Sequence, residues 1–436
     1  MKKISLIIAL VGVILIPSKV FSQYSEIEVK NMISQASEKE LVIECSRMLQ
    51  ENFFYYADLI TDKLLKINPN SANYKYRKGY IVLTMSQDYE SAIQLLKSST
   101  GSIDKNYDMY SLKEDAVPAD IFYHLGHAYH FNEEFENAKK NYAKFLEVTN
   151  KNSEIIAYAE RGIAQCNVAS SLMAEPKDVT IENLGDSINT IYADFSSNIS
   201  LDGRSLYYTS RRPWADGASN GFKDPLLNHF PEDIYQAGLS ENNEWLSPTR
   251  VDLCKPNFNE ASVSVSIDER RVYTYNDKKG RGDIYFSDLK NGAFSPIAPV
   301  LKTGVNTESR WETHYTVSPD GKMIFFVSDK ESGYGKRDIY FIEDKNGVWT
   351  DPKNIGGTIN SKWDEDAPFM GLDNNVLYFS SNDSTSMGEF DIFMTVKDEN
   401  GIWSTPVNMG YPINSVGDDI FYTHTADGKQ AYLTSF

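Results

Sequence analysis

The chain has 436 residues, with 43 Lys and Arg against 61 Asp and Glu and a formal net charge of −18. Phosphate binding needs a basic surface, so this balance excludes nucleic acid as a partner and argues equally against electrostatic adhesion to anionic lipid. With 41% hydrophobic residues there is material for large packed cores, and the length exceeds one ordinary domain.

Residues 1–22 read as a secretory signal peptide. Lys2 and Lys3 form the positive start, and Ile4 to Ile16 the apolar run, which is too short to span a bilayer comfortably. Val20 and Ser22 fit the small-residue positions before a cut at Gln23. The removed segment carries three Lys and no acid, so the mature net charge becomes −21 rather than −18. No Cys follows the apolar run, and no transmembrane segment is expected in the mature chain, which is read as periplasmic. The cysteines, Cys45, Cys166 and Cys254, are odd in number and scattered. They make neither a disulfide framework nor a metal-site spacing, and Cys45 and Cys166 are expected to be buried on helices.

From 23 to 175 the apolar period is about 3.6 and turn residues are few. The stretch from Ala119 to Tyr142 places Leu125-Gly126, Ala128, Tyr129 and Ala138 at the spacings of a helix pair. Weaker copies precede it, one with Tyr76, Gly79, Tyr89, Ala92 and Leu96, the other with Phe54, Ala57 and Leu64 before Pro69. Ala57 and Ala92 are 35 residues apart. This resembles the tetratricopeptide repeat, whose period is about 34 residues. The resemblance implies an all-α stack with a capping helix near 153–172 and a concave groove that binds extended peptides or partner helices. In that frame Asp120, Tyr123, His127 and His130 are expected to line the groove and contact a partner. A zinc site at the histidines lacks a third ligand of obvious placement, so no metal and no cofactor is expected.

From 176 to 436 one unit recurs. An acid is followed eight residues later by Asp, and eight after that by Ser or Asn: Asp194/Asp202/Ser210, Glu260/Asp268/Asn276, Glu312/Asp320/Ser328, Glu365/Asp373/Ser381 and Asp419/Asp427/Ser435. Asp-Gly at Asp202, Asp320 and Asp427 favours a tight turn, and β-rich runs such as Ile324-Phe-Phe-Val follow. Asp-Ile-Tyr or Asp-Ile-Phe at Asp233, Asp283, Asp338 and Asp391 opens a third strand. An aromatic-then-Pro segment follows, with Asn257, Asn306, Asn360 and Asn414 leading into the next acid. Four short strands per unit predict an all-β propeller of about five blades. The segment from Glu182 to Asn189 aligns with 353–360 and predicts a lone outer strand that closes the ring against the final blade. That blade reaches Phe436 without its Asp-Ile-Tyr strand, and the natural protein is expected to run further.

The blades resemble TolB-type, WD40-like repeats of bacterial envelope proteins. Ser318-Pro-Asp-Gly321, Phe325-Phe-Val-Ser328 and Asp338-Ile-Tyr340 carry the likeness. A position repeated in every blade is expected to be structural, so Asp194, Glu260, Glu312, Glu365 and Asp419 are read as acids that hold a turn through local hydrogen bonds. The break in the repeat is the better functional signal. Asp202 and Asp268 stand 66 residues apart, against 52 to 54 in later copies. The surplus forms a loop at 213–231, where Arg211, Arg212, Trp214, Phe222 and Phe230 are expected to anchor a partner.

No Gly-x-Ser-x-Gly elbow is present, and the propeller half holds only His229, His314 and His424, so no catalytic residue is assigned. The order of segments resembles PorE-type Bacteroidota envelope proteins, which accompany type IX secretion and gliding and usually end in an OmpA-family domain. This sequence shows no OmpA-like domain and no lipid-anchoring Cys, so contact with peptidoglycan is expected only through a partner. The expected function is a non-catalytic periplasmic scaffold with protein partners in the periplasm or at the outer membrane. The alternative is a propeller that binds or cleaves glycan with a divalent cation held by the repeated acids.

Overall fold

The computed structural model describes residues 26–215, 223, 228–276, 282–300, 304–307 and 310–436. The 1–22 segment and Phe222 lie outside them. The chain divides into two compact units, one reaching Ser170 and the other beginning at Ser171.

The first unit is helical: α1 (Glu26–Gln35), α2 (Glu38–Gln50), α3 (Phe54–Ile67), α4 (Ala72–Met85), α5 (Tyr89–Lys97), α6 (Ile121–Phe131), α7 (Phe135–Val148) and α8 (Ile156–Ala174). Helices α2 and α3, α4 and α5, and α6 and α7 pack as successive pairs. The starts are chemically specified. Ser37 and Glu40 form a reciprocal capping box at α2, and Ser71 and Asp88 accept the first free amides of α4 and α5. Two apolar clusters hold the unit, one around Leu41, Met48, Ile60 and Leu64, the other around Leu96, Leu125, Tyr142 and Phe145. Cys45 and Cys166 are buried within them. Gly126 matters for close approach: a Cβ there would stand 2.6 Å from the Tyr142 ring, and one at Gly162 2.7 Å from the same ring.

The second unit holds five antiparallel sheets in a propeller-like arrangement. Sheet I is β1 (Asp194–Ile199), β2 (Ser205–Ser210), β3 (Asp233–Gly238) and β4 (Thr249–Arg250). Sheet II is β5 (Glu260–Val265), β6 (Arg271–Asn276), β7 (Asp283–Lys290), β8 (Ala293–Phe294) and β9 (Ala298–Pro299). Sheet III is β10 (Glu312–Val317), β11 (Met323–Ser328), β12 (Asp338–Lys345), β13 (Val348–Trp349) and β14 (Lys353–Asn354). Sheet IV is β15 (Glu365–Met370), β16 (Val376–Ser381), β17 (Asp391–Val396) and β18 (Val407–Asn408), and sheet V is β19 (Asp419–His424) with β20 (Ala431–Ser435).

The second strands are buried on both faces, as at Ile324, Phe325, Phe326 and Val327, because each lies between neighbouring sheets. The first strands form a closed ring: β1 meets β5, β5 meets β10, β10 meets β15, β15 meets β19, and β19 returns to β1. All five carry a register shift two or three residues in, with positive φ at Ser196, Ala367 and Phe421. Such bulges sharpen local twist, which suits strands that converge on an axis.

One expectation fails here. Residues 182–189 keep the turn of 353–360, with the Ile188 and Asn189 amides donating to the Gly185 carbonyl as Ile359 and Asn360 do to Gly356, but they form no strand. An outer strand exists only by pairing with a third strand, and sheet V has none among the described residues. The close helix approach predicts that Gly126→Ala lowers stability by about 1–3 kcal/mol in urea unfolding. Gly101→Ala, with no atom within 4 Å of the new methyl, should be nearly neutral.

Candidate functional site

Each sheet opens on an acid that accepts from a backbone amide four or five residues earlier. Thr190 donates to Asp194 at 2.6 Å, Lys255 to Glu260 at 3.2 Å, Thr307 to Glu312 at 3.2 Å, Ser361 to Glu365 at 2.8 Å and Ser415 to Asp419. The far member of each triplet stands directly across the ladder, as in Glu312↔Ser328 and Glu365↔Ser381. Asn276, Ser328 and Ser381 also donate their side chains to the acid. The middle Asp closes the hairpin: Asp320 accepts from the Lys322 amide at 3.0 Å, and Asp202 from that of Arg204 at 2.9 Å. Burial pushes Glu365 up to about 7 and Asp419 up to about 6, against the hydrogen bonds they accept.

A second device grips the third strand. Asn360 accepts from the Ile339 amide at 3.0 Å and donates to the Ile339 carbonyl at 3.0 Å, while Asn354 donates to Asp338 at 2.6 Å. Asn414 and Asn408 repeat this on Ile392 and Asp391, and Asn306 clasps Ile284. In sheet I the clasping residue is Cys254, whose Sγ accepts from the Ile234 amide at 3.1 Å. Asn257, aligned with the others by type, is not the counterpart. The signal was the spacing to the next acid, six residues from Cys254 to Glu260 as from Asn306 to Glu312. Ligand atoms of Cys254, Asp233 and Glu260 lie within 4.8 Å of one another, all buried. These three could hold a metal by donor type, but each already serves the repeat. Burial and then Asp233 push the thiol well above its usual range, which favours the protonated form.

One cluster departs from the repeat. Arg337 pairs with Asp364 at 3.2 Å and with Asp366, and Asp366 contacts the His314 ring at Nδ1. Burial works to raise Asp366, yet Arg337 and His314 hold its carboxyl well below the usual carboxylate range. Nearby Asp418 is pushed up to about 7 by burial and then by Glu389. A His–carboxylate pair can orient a base, but nucleophilic chemistry also needs a hydroxyl or thiol in hydrogen-bond reach of the ring. Among the described residues none is bonded to His314. The adjoining cavity between first strands, lined by Ser197, Ser264, His314, Phe369, Phe421 and Thr423, measures about 30 Å³. That is room for roughly one water molecule. A larger cavity of about 190 Å³ lies between sheets II and III, with Tyr273, Tyr315 and Trp349 in its wall.

The residues selected from sequence are placed as follows. Arg211 pairs with Glu232. Arg212 pairs with Asp194 at 2.8 Å and lies over the rings of Tyr208 and Tyr235. Trp214 donates its Nε1–H to Asp233 at 2.7 Å beneath the Arg250 guanidinium, and Phe230 meets Tyr192 edge-on. Expected as outward anchors, Arg211, Arg212 and Trp214 turn to Glu232, Asp194 and Asp233, because the buried acids of sheet I need cationic and N–H partners. In the helical unit Tyr123, His127 and His130 are 3%, 8% and 2% exposed, a correction to their reading as open groove residues. Helices α4, α5 and α7 all pack on α6, with His130 against Phe135 and Tyr142 of α7 and His127 on Phe131 of its own helix. Burial lowers His124 to about 3 and raises Asp120 to about 6.

Fold and site together define a chain of paired helices followed by a propeller-like set of sheets whose repeated polar residues are engaged internally. No protein-family model matches the chain, and no curated protein does. Among solved structures it is similar to a protein assigned as TolB from Agrobacterium tumefaciens, with TM-score 0.35 and 20% identity over 57% of this chain and 71% of that one. It is also similar to a prolyl endopeptidase, with TM-score 0.34 and 15% identity over 60% of this chain and only 41% of the other. A protein from Bacteroides uniformis assigned as a 6-phosphogluconolactonase gives TM-score 0.32 and 14% identity over 55% and 77%. Neighbours therefore include TolB-type propellers and hydrolases alike, and TM-scores this low carry nothing about activity.

Two outcomes test this geometry. Arg337→Ala strands the Asp364 and Asp366 carboxylates and should cost about 3–5 kcal/mol in denaturant unfolding, with Asp366→Asn restoring part of the loss. Glu365 binds its proton more tightly folded than unfolded, so its contribution to stability is present below about pH 4.5 and is lost as pH rises to about 7. Glu365→Gln should flatten unfolding free energy across that window, by roughly 3 kcal/mol at most; an unchanged slope would contradict the burial account.

Proposed function

We propose that the protein is a non-catalytic periplasmic scaffold that brings together protein partners of an envelope machine, of the type IX secretion or gliding kind. The observation that carries this reading is that the repeated acids serve the same turn in all five sheets. Groups held that way are not on offer to a substrate, which leaves surfaces and edges as the working parts. The helical pairs fit tetratricopeptide-like repeats, a common protein-binding scaffold, and the domain order fits PorE-type envelope proteins. The secretory reading of 1–22 supplies the compartment. Peptidoglycan contact would come through a partner.

The glycan reading is the weaker one, since its acids accept from turn amides. A pull-down of tagged protein from gently crosslinked cell envelopes, read by mass spectrometry, tests the scaffold reading. Stoichiometric recovery of secretion or outer-membrane components is expected, and recovery of the protein alone would contradict it.

A further inference from the structure

Three residues after the middle Asp of each triplet the chain carries Ser205, Arg271, Met323, Val376 and Gln430, so sheet II alone puts a charge there. Two residues further on, every sheet has an aromatic ring: Tyr207, Tyr273, Phe325, Tyr378 and Tyr432. That ring is where the Trp of the following sheet packs. Trp403 of sheet IV meets Phe325 of sheet III edge-on at 6.4 Å, and Trp245 of sheet I meets Tyr432 of sheet V at 6.2 Å. Between sheets II and III the same two positions, Tyr273 and Trp349, border the cavity of about 190 Å³ instead. The packing of the repeat therefore opens at the junction where its charge pattern breaks.

The cavity has apolar and polar walls. Phe286, Val300, Val317 and Ile324 supply the apolar surface. Arg271 lies with its guanidinium 4.1 Å from the Phe286 ring centroid and donates from Nε to Asp288 Oδ1 at 2.7 Å. These two side chains are 39% and 24% exposed, which places them at the mouth. Tyr273 and Tyr315 stand with ring centroids 4.8 Å apart, and burial raises both phenols, so each is a neutral hydroxyl that donates and accepts. A dry cavity of about 150 Å³ admits one benzene ring, so there is room here for one six-membered ring with substituents. The aromatic walls suit a ring that presents C–H bonds to a π face. The neutral hydroxyls and the paired charges suit an edge of hydroxyl groups. An aromatic side chain would leave those polar groups unmet, and an anion would have to draw Arg271 away from Asp288.

We propose that this cavity binds one neutral pyranose ring, as a free sugar or as the end unit of a glycan. The ring enters past Arg271 and Asp288, which hydrogen-bond its outer hydroxyls, and stacks on Trp349, while Tyr273 and Tyr315 meet the hydroxyls that go deepest. Burial of one ring face gives the affinity, and the few placed polar groups give the selectivity. The site binds without cleaving, stands apart from the repeated acids, and does not rest on the scaffold reading.

The test is saturation-transfer difference NMR on the whole protein with glucose, galactose, mannose, N-acetylglucosamine and N-acetylgalactosamine, each as monosaccharide and as short oligosaccharide. Saturable transfer to at least one of them is expected, weakened about tenfold or more by Trp349→Ala and by Val317→Phe. The second variant fills the cavity with a ring rather than emptying it, so its thermal stability should be no lower than the parent's. Tighter binding of the oligosaccharide identifies a glycan end as the source, and equal binding a free sugar. No saturable transfer across the panel, undiminished transfer in both variants, or tighter binding of glucuronate or phenol than of any neutral sugar would overturn the site. Failure here would leave the envelope pull-down untouched, so the two readings fall separately.

Discussion

A buried carboxylate is costly unless hydrogen bonds or cations surround it, and the sheet unit answers that constraint the same way five times. Asp194, Glu260, Glu312, Glu365 and Asp419 each take a backbone amide from the connection that precedes them. The bond ties the loop leaving one sheet to the first strand of the next, so it sets where consecutive sheets meet. The Asn clasps then hold the third strand by its backbone.

The same constraint decides where the charged residues of the long first-sheet loop point. Arg211, Arg212 and Trp214 turn toward Glu232, Asp194 and Asp233. In the third and fourth sheets Arg337 answers Asp364 and Asp366. Cations that look like interface anchors in the sequence are the counter-ions of buried acids. The chain is strongly acidic overall, and local cations answer some interior acids, while burial still raises Glu365, Asp391, Asp418 and Asp419.

Much of this was legible in the sequence because the unit is copied. The eight-residue steps placed both ends of each hairpin, and the acid and the Ser or Asn sixteen residues on do face each other across the ladder. Asp-Ile-Tyr and Asp-Ile-Phe marked the third strands at their first residue. The spacing of Gly126, Ala128 and Ala138 located the α6–α7 pair, whereas α1 and α2 carried no comparable repeat and were anticipated only as helical chain, with Cys45 on a helix. Side-chain direction was the harder part. Whether His130 faces a groove or a neighbouring helix depends on how many helices crowd α6, which spacing along one helix does not encode. Cys254 shows a further limit, since a thiol can take the place of a clasping Asn without resembling it.

The central claim is that the repeated acids are structural parts of one hydrogen-bonded turn. Amide hydrogen exchange resolved to single residues tests it most directly. The account predicts that the Thr190, Thr307, Ser361 and Ser415 amides exchange as slowly as the strand-interior amide of Ile339. Exchange of those four at the rate of open loops would contradict it and return the acids to the list of groups free to bind a ligand.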